Sequence, residues 1–241
     1  MSYSAVGAGN VDVARTAQPH LHALCNPAHL PCCSLPPPVE LSRPRAARSP
    51  PYHPTVVPEA GLTETEAGLV PASTGWFVMN AHDARWFDRP GRGDSLPLTG
   101  SDEFEAETYF PMLGMSLQVL SPGEPNSMYH WETEQEDFLV LSGEALLIVE
   151  GEERPLRRWD FVHCPPETRH VFVGAGDGPC VILAASSRQF QASGPWGKYT
   201  VDDAARRHDA CPEEETQDGD IAYARFPPSQ PRHYRDGLLP D

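Results

Sequence analysis

His130, Glu132, Glu134 and Glu136 fall on alternate positions just ahead of the apolar run Phe138, Leu139, Val140 and Leu141. A second histidine, His170, opens another apolar run, Val171, Phe172 and Val173. Imidazole nitrogens and carboxylate oxygens are the donors that first-row divalent metals accept. Side chains of an extended strand alternate faces with period two. If this segment stays extended, His130, Glu132 and Glu136 share a face with Phe138 and Val140. Carboxylates against an apolar face are costly unless they are paired or bind a cation. Tyr129 and Trp131 have the opposite parity, which sets them on the other face. His163 reads as a satisfied buried histidine that could also wall the pocket. Glu134 reads as a loop residue facing water.

The elements that must position these groups are short strands. Residues 138–141, 145–149, 159–164, 170–173 and 180–185 are rich in apolar and β-branched residues. Turn residues separate them: Ser142-Gly143-Glu144, then Glu150-Gly151-Glu152-Glu153, then Pro165-Pro166. Proline has no N–H to give to a ladder, so that pair stops its strand. Upstream, residues 76–80, 84–87, 104–111 and 113–120 read as further strands, with 88–99 as a Gly/Pro loop. Strands spaced in this way indicate an antiparallel sandwich or barrel. The tripeptide Arg92-Gly93-Asp94 reads as a turn within that loop.

The residues resemble the two sequence motifs of the cupin superfamily. Gly123, His130, Glu136 and Gly143 fit the first motif, with Glu132 where its second histidine would stand and one extra residue between Gly123 and His130. Asp160, Pro165 and His170 fit the second, where Trp159, Glu167 and Gly174 replace a glycine, a glycine and an asparagine. The short spacing from Gly143 to Trp159 is similar to that of small single-domain bacterial cupins. The resemblance implies an all-β chain with a single double-stranded β-helix, the jelly-roll cupin barrel. It also implies a divalent metal, Fe, Mn, Ni or Zn, held by His130, Glu132, Glu136 and His170. An alternative role for Glu132 is a hydrogen bond to Arg169. No internal repeat suggests a second barrel.

Composition narrows the role. The 241 residues carry a net charge of −16, which disfavours nucleic acid phosphates and anionic lipid. No apolar run approaches the ~20 residues of a spanning helix, and no signal peptide pattern is evident. Cys164 and Cys180 lie in apolar strands, where a thiol behaves as a small hydrophobe, so a cytoplasmic location with reduced thiols is expected. Lys198, the only lysine, lies in a Gly/Pro loop, which argues against Schiff-base chemistry.

Residues 1–60 are expected to form a proline-rich, disordered extension, residues 61–190 the barrel, and 191–241 a loop, a short helix near 201–208 and an extended tail. Residues 1–58 hold eleven prolines, with only Asp12 and Glu40 as acids. They also hold His20, His22, Cys25, His29, Cys32 and Cys33, whose spacing fits no zinc module. Thr200-Val201-Asp202-Asp203 has the pattern of a helix cap. In the tail, Tyr223, Phe226 and Tyr234 either anchor the segment against the barrel or leave it flexible. The expected function is that of a metal-dependent enzyme on a small polar metabolite, a dioxygenase, isomerase or related catalyst. The alternative is a non-catalytic small-molecule or carbohydrate-binding module. No catalytic residue is assigned. Exposed sheet edges suggest a homodimer.

Overall fold

The computed structural model describes residues 57–73, 75–99, 112–188 and 195–240. The expected disordered extension with its histidine–cysteine cluster, and the strand expected at 104–111, lie outside these residues, apart from the last few positions of the extension.

Among the described residues the strands are Leu62–Thr65 (β1), Gly68–Pro71 (β2), Trp86–Asp88 (β3), Asp94–Thr99 (β4), Leu113–Leu120 (β5), His130–Glu132 (β6) and Glu136–Ser142 (β7). They continue with Glu144–Val149 (β8), Glu152–Arg157 (β9), Phe161–Cys164 (β10), His170–Ala175 (β11), Cys180–Ser187 (β12), Gly197–Tyr199 (β13) and Gln230–Arg232 (β14). Two short helices, Asp203–Arg207 (α1) and Gly219–Ala222 (α2), lie between the last two strands. A seven-stranded sheet runs β10-β7-β12-β5-β4-β3-β14, and a five-stranded sheet runs β13-β6-β11-β8-β9. Every named pairing is antiparallel. The two sheets enclose a core of Leu120, Phe138, Val140, Leu147, Phe172 and Ile182, drawn from both. The chain is an all-β jelly roll, a double-stranded β-helix.

Strand parity explains what faces inward. On β7, Glu136, Phe138 and Val140 are buried while their odd-numbered neighbours are half-buried. On β11, Phe172 joins the inner core, whereas Val171 and Val173 pack outward under Ala204 and Ala205 of α1. The helix expected near 201–208 spans Asp203–Arg207, and Asp202 caps it by accepting hydrogen bonds from the N–H groups of Ala204 and Ala205.

Several expectations are corrected. The segment from His130 to Glu136 is not one strand. The chain breaks at Thr133–Gln135 and passes from the five-stranded to the seven-stranded sheet. Residues 77–80 form no strand, and Trp76 makes only an isolated bridge to Glu59. The expected loop at 88–99 contains β4, which pairs with β5. Glu152 and Glu153 belong not to a turn but to β9, an exposed edge strand whose charges suit an unpaired edge. The tail is anchored. Its strand β14 pairs with β3, Tyr234 stacks on His82, and Leu238 is buried with Trp86, Leu96 and Val181.

Several turns use a left-handed backbone. Gly143 sits at φ 71°, and a Cβ there would come within 2.4 Å of the Pro179 carbonyl oxygen. Trp159 (φ 76°) and Glu167 (φ 70°) occupy the same left-handed region without glycine's freedom. These are the two positions where the resemblance to the second motif calls for glycine.

Candidate metal centre

The two histidines come from neighbouring strands. His130 of β6 lies directly opposite His170 of β11, and their ring centroids are 4.9 Å apart. Glu136 reaches them from the other sheet, at the start of β7. The centre therefore exists only because the two sheets close on each other. One donor atom from each of His130, Glu136 and His170 lies within 4.8 Å of the others.

Backbone contacts orient both rings. His130 Nδ1 is 2.8 Å from the Met128 carbonyl oxygen, and His170 Nδ1 is 3.0 Å from that of Thr168. A carbonyl can only accept, so in each neutral ring Nδ1 carries the hydrogen and Nε2 keeps its lone pair. This is the orientation that metal-binding histidines commonly need. His170 Nε2 is buried with no hydrogen-bond partner among the described residues, 3.5 Å from Glu136 Oε2. A buried polar atom without a partner is costly, and a divalent cation would satisfy it. Two imidazoles and a carboxylate are a suitable donor set for such an ion.

Glu132 stands slightly apart. Its Oε1 is 3.7 Å from His130 Nε2, and its Oε2 is 4.0 Å from Arg188 Nη1. It lines the same cavity but is not in the compact three-residue set. Arg169, the alternative partner, instead pairs with Glu150. Glu134 does not face water: it is buried and accepts a hydrogen bond from Ser187. His163 is half-exposed rather than buried, is 2.6 Å from Asp137, and lies outside the cavity lining. Tyr129 is buried on the opposite face, where its hydroxyl accepts from Gly151 N–H. Trp131 is likewise absent from the lining.

Burial and mutual charge shift all four groups. Burial, and then the negative charge of Glu132, push the Glu136 carboxyl up to about 8. Burial and the nearby His130 push His170 down to about 4. Burial alone would lower His130, but its contact with Glu132 and the charge of Glu136 raise it. Burial would raise Glu132, but His130 and Arg188 hold it below the usual carboxylate value. Burial and the charge of Glu132 thus favour the protonated form of the Glu136 carboxyl, and a dication would favour the ionised form.

The cavity above these groups has a volume of about 320 Å³. Its walls include Gln118, Asn126, Arg92, Arg188, Tyr199 and Tyr223. The motifs gave no hint of them. A signal was present for Gln118: with Ser116, also in the lining, it is polar at alternate positions of an otherwise largely apolar strand.

Residues 116–186 match the family model described as the cupin domain. The protein carries a cupin domain. No curated protein matches the chain. Among solved structures, the chain is similar to a sugar phosphate isomerase of the cupin superfamily from Silicibacter pomeroyi, at 26% identity and a TM-score of 0.34, with 49% of this chain and 65% of that one covered. A Cupin 2 conserved barrel domain protein from Salinispora arenicola is 27% identical, with 39% of this chain and 73% of that one covered and a TM-score of 0.32. A cupin 2 domain-containing protein from Halorhodospira halophila is 17% identical, with 48% and 75% covered and a TM-score of 0.38. The chain spans less than two thirds of the length of the Silicibacter protein.

Proposed function

We propose that the protein is a metal-dependent enzyme acting on a small polar metabolite inside the barrel. The observation that carries this reading is the cluster of His130, Glu136 and His170 donors within 4.8 Å, at a cavity large enough for a small molecule. These three residues would hold the ion, with Glu132 as an adjacent fourth donor. A divalent ion bound there supplies Lewis acidity to substrate oxygens, or redox chemistry if it is iron. The chain's own residues do the rest. The Met128 and Thr168 carbonyls fix the imidazoles. Phe138 packs edge-on to His170 at 5.3 Å and closes the floor against water.

One observation favours a second reading, a non-catalytic binding module. Glu132 replaces the second motif histidine and faces Arg188, which leaves a three-donor set and a weaker hold on the ion. Turnover decides between them. Metal-loaded and metal-stripped protein are each incubated with a polar metabolite fraction and followed by mass spectrometry. Consumption of one compound only with metal supports the enzyme. A compound retained unchanged by both forms supports the binder.

The cytoplasmic location and the homodimer belong to this proposal. Strands β9 and β10 end their sheets, and Trp159 and Phe161 beside them are exposed. Pairing across these edges would protect them. A light-scattering mass equal to one chain would contradict the dimer.

A further inference from the structure

The wall of the cavity beside the candidate metal centre is cationic. Among the described residues, Arg89, Arg92 and Arg188 line it, against the two carboxylates of Glu132 and Glu136. This is a positive region in a chain of net charge −16. Once a dication joins the histidines, the excess of positive charge grows further. Fixed charge in a concave, low-dielectric site selects ligands of the opposite sign.

Two of these guanidiniums are held in place with donors to spare. Arg92 lies over the ring of Tyr223, 4.3 Å from its centroid, and 5.4 Å from that of Phe226. Its Nη2 donates to Ser229 Oγ at 3.4 Å, while its Nε is buried with no hydrogen-bond partner among the described residues. Arg188, just past the end of β12, also has a buried Nε with no such partner. Its guanidinium lies across Gly114, where a Cβ would come within 2.5 Å of Nη2. Aromatic stacking and this glycine gap pre-organise the planar forks, and Arg presents paired donors that match carboxylate and phosphate oxygens. Glu132 is a distant partner for Arg188, at 4.0 Å. Two fixed cations on the cavity wall, one with only a distant carboxylate beside it, favour an anionic acceptor in the cavity.

We infer that the cavity takes an anionic small molecule, whose phosphate or carboxylate group is held by Arg92 and Arg188 while its other end faces His130, Glu136 and His170. The substrate class follows from the arginines. Only the assignment of the far end rests on the proposed metal reading.

The test is calorimetric titration of the full-length protein with inorganic phosphate, malonate and, as a neutral control, glycerol. It is run on chelator-stripped protein and on protein loaded with Mn²⁺, with metal content measured in parallel. Binding of either anion to stripped protein, and none of glycerol, is expected. Arg188→Gln should weaken that binding about tenfold, as should Arg92→Gln. Arg154→Gln, on the exposed β9 edge, should leave it unchanged. Phosphate bound without malonate assigns a phosphoryl group; malonate alone assigns a carboxylate. Folded wild-type protein that binds neither anion overturns the inference, as does anion binding indifferent to both arginine substitutions. Arg188→Lys, which keeps the charge but loses the fork, serves if Arg188→Gln fails to fold. A protein that binds anion but no metal sinks the metal reading alone, and the reverse result sinks only this inference.

Discussion

The two ends of the barrel interior are built by the same strands and the same parity, yet they do opposite things. On β5 the inward residues run from Leu120 to Gln118 and Ser116. On β7 they run from Val140 and Phe138 to Glu136, and on β12 from Ile182 through Ala184 to Ser186. At one end, apolar side chains from both sheets exclude water and hold the fold. At the other, the same rows end in charged and polar groups around a cavity. The comparison shows that stability and chemistry are separated along the strands and not assigned to different elements. Positions two to four residues apart on one face differ in which of the two they serve.

That separation can be broken most directly at the closed end. Phe172→Ala should cost about 3–5 kcal/mol, because it leaves a cavity in the core shared by the two sheets. Denaturant unfolding would show it as a lower midpoint. His170→Ala, two residues away on the same face, should cost clearly less in stability while removing a donor from the candidate centre. Equal destabilisation by the two changes would mean that the ends are not separate.

The polar end should answer to pH. Glu136 is pushed up to about 8, so below that value a proton competes with the ion. Apparent metal affinity should rise between about pH 6 and 8 and then level off. His170 is neutral throughout that window and adds nothing to the slope. The raised Glu136 value also means that the ion-free fold gains stability from this group below its ordinary value of 4.5 and loses it as the pH climbs through about 8. Isothermal titration at several pH values checks the first effect. A flat or falling affinity would contradict it.

Smaller effects are expected at the turns. Trp159 is exposed at φ 76° and Glu167 at φ 70°. Trp159→Gly and Glu167→Gly should each be neutral or stabilising, by up to about 1 kcal/mol, as strain at a left-handed position is relieved. A loss of stability in thermal melts would show that the side chains contribute more than the turns cost. Smallest of all, burial pushes the Cys164 thiol up to about 12 and Cys180 up to about 11. Peptide-level alkylation at pH 8 should label neither in the native protein and both after denaturation.

Much of this was legible in the sequence. The alternation of Glu136, Phe138 and Val140, the strand at 113–120, the helix cap at Asp202 and the motif spacing are all local signals, and local signals survive into the fold. What was not legible depends on distant pairing. The break at Thr133–Gln135 is fixed by partners far along the chain: Thr133 N–H donates to the Trp196 carbonyl, and Glu167 N–H donates to that of Glu132. Strand β9 lacks an apolar pattern because it is an exposed edge paired only with β8. Arg92, read as part of a turn, reaches the cavity because Tyr223, 131 residues later, folds beneath it. Glu134 was misplaced for the same reason, since Ser187 covers it from another strand.

The most direct test of the central claim is elemental analysis of protein purified without a metal-chelating tag, alongside Glu136→Gln, His170→Ala and Glu132→Ala. The account predicts close to one divalent transition metal per chain in the wild type. It predicts near-complete loss in the first two variants and a smaller loss in Glu132→Ala. A folded wild type free of metal, with a melting temperature indifferent to added Fe, Mn, Ni and Zn, would contradict it.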